Sequence, residues 1–317
     1  MSKYIAEETK TRELRKVYAS TLIDMMDKDQ KVVALEADLM SAIATKPVQE
    51  KYADRLINCG IQEANMMGVA AGLSVTGMIP FVHSFGIFVT RRAYDQLFLS
   101  LGYAQLNARI IGSDAGVTAQ HNGGTHMPFE DLALLNAIPN SIVLEMSDDT
   151  MFEKLLRQTK DEYGLYYFRI VRKEMRKLYH DDQAFEVGKG IVLEDGNDVT
   201  IVASGIMVEE ALKARELLKK DGIDAAVIDM FTIKPIDQEL LIKYANKTKL
   251  VVTAENHNVN GGLGSMVTQC LSEKAPVKMR HIGVKESFGQ VGTTAYLQEV
   301  YNLRAEDIVD AVKDGLQ

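Results

Sequence analysis

Glu63 is the residue whose position most suggests chemistry, because it stands at the start of the most apolar helical segment of the chain. From Met66 to Leu73 the segment contains only small or apolar residues, so we expect a buried helix. Burying an ionised carboxylate is costly unless it is paired, and burial raises its pKa. Glu63 therefore either caps the free amides of the helix or is kept for acid–base chemistry. Taken by itself, this segment favours the cap.

A glycine-flanked loop carries the second candidate, His126. Gly123 and Gly124 let the backbone approach a ligand closely and place the histidine at a loop tip, and histidine is suited to proton transfer near neutral pH. The alternative is a plain glycine turn before a helix, with Pro128 in its first turn. Both interpretations can be correct at once, because ligands of α/β proteins bind in loops that follow parallel strands. His121 makes a metal site conceivable, but no third ligand has suitable spacing, so we expect none.

Phe81, Phe85 and Phe88 form a third group with helix-like spacing. Such stripes usually pack in a core, and the alternative is an aromatic wall on which a planar ring stacks. An apolar wall facing a buried acid would suit a heteroaromatic cofactor whose ring nitrogen must be protonated.

Alternating strands and helices are predicted to position these groups. Short apolar runs at 32–35, 110–112 and 141–144 are typical of buried strands, and the segments 11–27, 62–76, 91–105 and 148–163 have helical periodicity. A second unit repeats the alternation, with strands at 199–203, 225–229 and 249–253 and helices at 207–220, 238–246, 262–273 and 305–315. The pattern predicts an α/β fold of two doubly wound domains with mainly parallel sheets. We place the domains at 1–175 and 191–317, joined by a polar linker at 176–190.

Composition narrows the class of protein. The 317 residues carry a net charge of −8, which argues against nonspecific nucleic-acid binding. The two cysteines, Cys59 and Cys270, lie far apart in apolar contexts and indicate reduced core residues. The charged N-terminus has no apolar signal core, and no apolar run is long enough for a bilayer. We therefore expect a soluble, cytoplasmic protein without membrane or nucleic-acid partners.

Five motifs occur together in the order seen in transketolases. They are Gly60-Ile61-x-Glu63, Ser84-Phe85-x-x-Phe88, Gly124-Thr125-His126-Met127-Pro128, Asp229-x-Phe231-Thr232-Ile233-Lys234-Pro235, and Glu255-Asn256-His257 followed by Gly261-Gly262-x-Gly264. Nearly the whole chain resembles the C-terminal half of a transketolase, namely its pyrimidine-binding domain and its C-terminal domain.

The resemblance implies thiamine diphosphate as cofactor and assigns roles to residues. Glu63 matches the catalytic acid that hydrogen-bonds the aminopyrimidine ring, and Phe85 and Phe88 match the residues that pack against this ring. His126 matches a catalytic histidine near the reacting hydroxyls, and Asp38 matches an aspartate close to the cofactor. The family's sugar and sugar-phosphate substrates imply further binding residues in this chain, for which the candidates are Arg15, His83, Asp114, Asn122 and Arg172.

The family's metal-binding motif is missing from the chain. Transketolases hold Mg²⁺ and the diphosphate with Gly-Asp-Gly and an Asn-rich segment of an N-terminal domain, and this chain contains no Gly-Asp-Gly. Its nearest likeness, the segment 195–198, falls in a turn before a strand of the second domain. The resemblance therefore implies a split enzyme in which an N-terminal partner subunit holds Mg²⁺ (or Ca²⁺), in an α₂β₂ assembly.

Three departures from the pattern bear on the substrate. Asn122 stands where many transketolases have an aspartate that recognises donor hydroxyls, and Asp114 replaces a phosphate-contacting histidine. An ionised acid at Asp114 would repel phosphate, and His121 replaces an acidic position. Two other thiamine enzymes, deoxyxylulose-phosphate synthase and the β subunit of a 2-oxoacid dehydrogenase, need the same activation and remain alternatives. A noncatalytic scaffold is the alternative of another class.

Overall fold

In the computed structural model, which describes residues 4–7 and 9–317, the chain forms two α/β units. The first contains β1 (Val32–Glu36), β2 (Leu56–Asn58), β3 (Ile79–Phe85), β4 (Ala108–Ser113), β5 (Ile142–Glu145) and β6 (Leu165–Arg169). Its α-helices are α1 (Leu14–Lys28), α2 (Met40–Ile43), α3 (Lys46–Lys51), α4 (Glu63–Val75), α5 (Gly86–Val89), α6 (Tyr94–Gln96), α7 (Asp131–Asn136) and α8 (Asp149–Lys160).

The second unit begins after the segment 170–190, which is irregular. It contains β7 (Ile191–Glu194), β8 (Val199–Ala203), β9 (Ala225–Asp229), β10 (Thr232–Lys234), β11 (Leu250–Asn258) and β12 (Lys278–Val284). Its helices are α9 (Met207–Lys220), α10 (Gln238–Lys247), α11 (Leu263–Lys274), α12 (Thr294–Val300) and α13 (Ala305–Leu316).

Both sheets are mainly parallel, which confirms the predicted fold class. Over the described residues, the first sheet has seven strands in the order β10-β5-β6-β4-β3-β1-β2, and the second has five in the order β12-β11-β8-β9-β7. Only an edge strand of each is antiparallel: β10 pairs with β5, and β7 pairs with β9. Because β10 follows β9 in the chain, the second unit supplies an edge strand to the first sheet.

A buried arginine joins the two units. Arg169, at the end of β6, forms ion pairs with Asp131 (2.7 Å) and Glu145, and its Nη2 donates to the carbonyl oxygen of Asn256 on β11 (2.9 Å). Glu145 also accepts a hydrogen bond from Ser204, just beyond β8. This network fixes the carboxyl ends of the first sheet against the second unit.

Three local predictions were wrong. The phenylalanines do not lie on one helix, because Phe81 and Phe85 belong to β3 and only Phe88 lies on α5. Helix α4 is also not buried on every face, since Gly68, Gly72 and Val75 are exposed. Residues 91–103 form a 3₁₀ turn, the short α6 and a π-helical segment instead of one regular helix. In the described part of the chain, no helix combines the length and apolarity required for a membrane span.

Candidate active site

Glu63 begins α4 beside the carboxyl end of β3, and its carboxylate is nearly inaccessible, with 1% of the side chain exposed. Ser84 Oγ donates to Glu63 Oε1 at 2.9 Å, and Arg92 Nη1 donates to Oε2 at 3.0 Å. The helix begins without a side-chain cap, so the capping interpretation is wrong. Glu63 is a buried acid held by one hydroxyl and one guanidinium.

An aromatic group stands beside this acid. The ring centroids of Phe85 and Phe88 lie 6.0 Å apart, and His126 meets both edge-on, at 5.7 and 5.0 Å. Phe81 is fully buried in the core and takes no part. The structure thus brings together Glu63, two of the three phenylalanines and the loop histidine, which the sequence places up to 63 positions apart.

The His126 loop depends on glycine. Gly123 has φ +77°, and a Cβ on Gly124 would lie 2.1 Å from the carbonyl oxygen of Gly289 in the second unit. A side chain at position 124 would therefore push the two loops apart. His126 itself is half-buried, and its Nδ1 lies 2.9 Å from Thr125 Oγ1.

The position of the Arg92 guanidinium indicates where a flat ring could lie. Its planar guanidinium lies 3.7 Å above the centroid of the Phe88 ring while it donates to Glu63, and its side chain is 46% exposed. Neither Arg92 nor Ser84 was predicted as a site residue. The signals were available, since Ser84 follows His83 on the strand and Arg92 is one of two adjacent arginines beside an apolar segment.

Arg172 and Asp114 form a second polar group on the other side of Phe85. Arg172 Nε donates to Asp114 Oδ1 at 2.6 Å, and the guanidinium lies 4.9 Å from the Phe85 ring centroid. Asn122 Nδ2 lies 3.4 Å from Asp114 Oδ2. Burial raises the pKa of Asp114, and this shift is opposed by the positive charges of Arg172 and of His83 and His126 when these are protonated.

Arg15 lies next to this group. Its backbone amide donates to the carbonyl oxygen of Arg172 at 3.1 Å, while its guanidinium pairs with Glu13 at 3.0 Å. Arg15 is thus linked to Arg172 through the backbone, and Arg172 and Asn122 both contact Asp114, while substrate binding by these residues stays a prediction.

His83 was predicted as a substrate-binding residue, but its ring is fully buried. Its Nδ1 lies 2.9 Å from Glu36 Oε2 and its Nε2 lies 3.1 Å from Ser113 Oγ, so both nitrogens face protein groups. Thr45 Oγ1 donates to the other oxygen of Glu36 at 2.8 Å. This geometry does not support substrate contact and instead gives His83 a positioning role behind Asp114, which follows Ser113.

Asp38 is bonded to Asn58 through both its backbone amide and its carboxylate. It is exposed just beyond β1 with φ +60°, and its backbone amide donates to Asn58 Oδ1 at 3.0 Å. The structure places it at the edge of the site, with no hydrogen bond to Glu63 among the residues described. Its proximity to a cofactor stays a prediction. The described ranges also contain no cluster of three His, Cys, Asp or Glu side chains able to hold a metal ion, and both cysteines are free.

The fold and the site define a cofactor-dependent α/β enzyme chain. Residues 10–177 match the family model for the transketolase pyrimidine-binding domain, and residues 188–308 match that for the transketolase C-terminal domain. The chain belongs to the transketolase family.

Three relatives illustrate the match. A 6-deoxy-6-sulfo-D-fructose transketolase subunit of Clostridium sp. (strain MSTE9) is 45% identical over 95% of this chain and 94% of its own length. An apulose-4-phosphate transketolase subunit of Phocaeicola vulgatus is 33% identical over 93% of this chain and 94% of its own length. A solved structure described as a split-gene transketolase, inactive β4 tetramer, has a TM-score of 0.88 at 39% identity, over 96% of this chain and 98% of that chain.

Family membership implies thiamine diphosphate as the cofactor, and the site fits its pyrimidine ring. Arg92 already makes the two contacts that such a ring requires, a flat face on Phe88 and an N–H donor to Glu63. Because half of the Arg92 side chain is exposed, it has room to turn away.

Proposed function

We propose that the chain is one subunit of a split transketolase that moves a two-carbon ketol unit from a ketose donor to an aldose acceptor. The observation that supports this most directly is the buried Glu63, held by Ser84 and Arg92 next to the Phe88 ring. The names of two relatives, both transketolase subunits, support the same activity.

Each residue of this chain then has one task. Glu63 holds a proton at the pyrimidine ring nitrogen, and Ser84 keeps its carboxyl group oriented. Phe85 and Phe88 wall the ring and exclude water, and His126 moves a proton at a hydroxyl of the sugar. The thiazolium of the cofactor, when bound, supplies the nucleophilic carbon and the electron sink.

We propose that a partner subunit holds the diphosphate and its Mg²⁺ or Ca²⁺ in an α₂β₂ assembly in the cytoplasm. An apolar outer face supports assembly. Ile61, two residues before α4, and Val75, its last residue, are each 72% exposed, and in the described part of the chain no atom lies within 4 Å of a Cβ position on Gly68 or Gly72. Such a face allows close packing against another chain.

The test is to assay the chain alone and together with a candidate N-terminal subunit, with thiamine diphosphate, Mg²⁺ and a ketose donor. We expect turnover only from the mixture, and clear turnover by this chain alone would overturn the split-site proposal. In the active mixture, Glu63→Ala should abolish turnover, whereas the exposed Glu273→Ala should not. Full activity of Glu63→Ala would favour the scaffold interpretation.

A further inference from the structure

Both arginines of the substrate cluster already have a carboxylate partner. Arg172 donates through Nε to Asp114 at 2.6 Å, and Arg15 pairs with Glu13 at 3.0 Å. The two pairs are adjacent, because the Arg15 amide bonds the Arg172 carbonyl oxygen. A ligand at this cluster therefore meets guanidinium groups whose charge is already partly compensated.

Asp114 is built into the site. Its side chain is 2% exposed and its backbone has φ +63°, a conformation that aspartate and asparagine tolerate better than most residues. Its second oxygen lies 3.4 Å from the Asn122 amide nitrogen. Burial raises the pKa of this carboxyl and the permanently charged guanidinium of Arg172 opposes the rise, so a carboxyl group bonded to Arg172 stands beside any ligand of that arginine.

Arg172 still has donors to offer. Among the residues described, neither of its terminal nitrogens has a hydrogen-bond partner, and its side chain is 20% exposed. An uncharged ligand group would leave these two nitrogens without an anionic partner. A dianionic group would pair with them but would be repelled by the Asp114 carboxylate.

We infer that the donor carries a singly charged group, such as a sulfonate, at the end that meets Arg172, and that Asp114 selects against a phosphate dianion. This inference rests on the proposed function, because it assumes that a ketose donor reaches the cluster. Coulomb repulsion grows with ligand charge, so Asp114 penalises a dianion about twice as strongly as a monoanion. For a group roughly 5 Å away, the additional charge lowers affinity by about fourfold if the interaction is screened as in bulk water, and by more than about a hundredfold at the effective dielectric constant typical near a protein surface.

The experiment compares three ketohexoses that differ only at the terminal carbon: phosphate, sulfonate or free hydroxyl. We would measure kcat/KM for each with the complex of this chain and its partner. The wild type should prefer the sulfonate to both others, and Asp114→Asn should raise the phosphate-to-sulfonate ratio by at least about fourfold. The matched control is Asp314→Asn, which removes a remote aspartate from the Nε of Arg280, at 2.8 Å.

Binding of the corresponding hexitols, which lack the reacting carbonyl, separates this inference from the proposed function. Calorimetry on the same complex should show the same preference for sulfonate and the same shift in Asp114→Asn, even where no donor is turned over. A wild type that binds the phosphate as tightly as the sulfonate, an unchanged ratio in Asp114→Asn, or binding of neither anionic hexitol would overturn the inference. Absence of turnover with normal hexitol binding would count against the transketolase activity alone.

Discussion

Replacing Glu63 by glutamine tests the centre of the proposed mechanism with the smallest change in shape. The amide oxygen still accepts the Ser84 hydroxyl, which lies 2.9 Å from the carboxylate, so the start of α4 should keep its structure. What is lost is the ionisable group at Oε2, where Arg92 donates at 3.0 Å and where we place the pyrimidine nitrogen. The substitution therefore separates binding of the ring from its activation.

The size of the effect follows from the burial of this group. A positioned acid or base contributes about 10²- to 10⁴-fold to rate, which corresponds to about 3–5 kcal/mol in the activation free energy. The upper part of that range applies here, because the carboxylate is 1% exposed and therefore shielded from solvent. Loss of the pairing with Arg92 contributes less, since that guanidinium is half exposed and screened by solvent.

The assay is hydrogen–deuterium exchange at the reactive carbon of bound thiamine diphosphate, quenched in acid and read by NMR, in the complex with the partner subunit. Cofactor affinity should change by less than about tenfold while exchange slows by about 10³-fold or more. The exposed Glu273→Gln is the matched control and should exchange at the wild-type rate. Exchange in Glu63→Gln within about threefold of wild type would refute the assignment of Glu63.

Three further substitutions test how buried charge holds the site. His83→Leu should lower stability by about 3 kcal/mol, seen as a lower midpoint in thermal unfolding, because it removes the histidine that lies 2.9 Å from the buried Glu36. Arg169→Met should cost about 3–5 kcal/mol, since it leaves two buried carboxylates unpaired between the units. Burial raises the pKa of Asp229 from 3.8 to about 7, so the folded state retains a proton that the unfolded chain releases above about pH 4. Its contribution to stability is therefore lost as pH rises from 4 through 7, and Asp229→Asn should flatten that part of the profile.

Each of these variants has a surface control of the same residue type: His180→Leu, Arg280→Met and Asp310→Asn, all at positions that are exposed or partly exposed. An unfolding midpoint for His83→Leu or Arg169→Met equal to that of its control would show that the buried pair contributes nothing. A stability profile for Asp229→Asn that declines between pH 4 and 7 as steeply as that of Asp310→Asn would show that another group causes the decline.

Much of the fold was predictable because buried strands and helices leave recognisable apolar patterns in the sequence. Strand 225–229 and helix 207–220 were predicted at the bounds the structure has, since an unbroken apolar run and an amphipathic helix are strong local signals. Strand β3 was missed because His83 and Ser84 interrupt its apolar pattern. Both are buried, and their partners come from other elements, which no local pattern reveals. The antiparallel pairing of β10 with β5 was not predicted for the same reason, because it is set by tertiary contact.

The site was predictable where residue type alone indicates chemistry. Glu63 and His126 were named from their apolar and glycine-rich surroundings, whereas Arg92 was not named, and only the structure shows it over Phe88. His83 is the opposite case. It was predicted to contact the substrate, but both nitrogens of its ring face protein groups. Which way a side chain faces depends on strand register, and a single sequence does not state it.

Glu36, Asp114 and Glu63 are three of the carboxylates near the carboxyl edge of the first sheet, and their partners explain why we assign catalysis to Glu63. Glu36 is bonded to a threonine and a fully buried histidine, so its environment is closed. Asp114 is held by Arg172, whose side chain is 20% exposed. Glu63 pairs with Arg92, which is 46% exposed and rests on an aromatic face instead of being enclosed. Of the three, Glu63 therefore exchanges its partner at the lowest cost, and a buried acid with an exchangeable partner is what activation of a bound heteroaromatic ring requires.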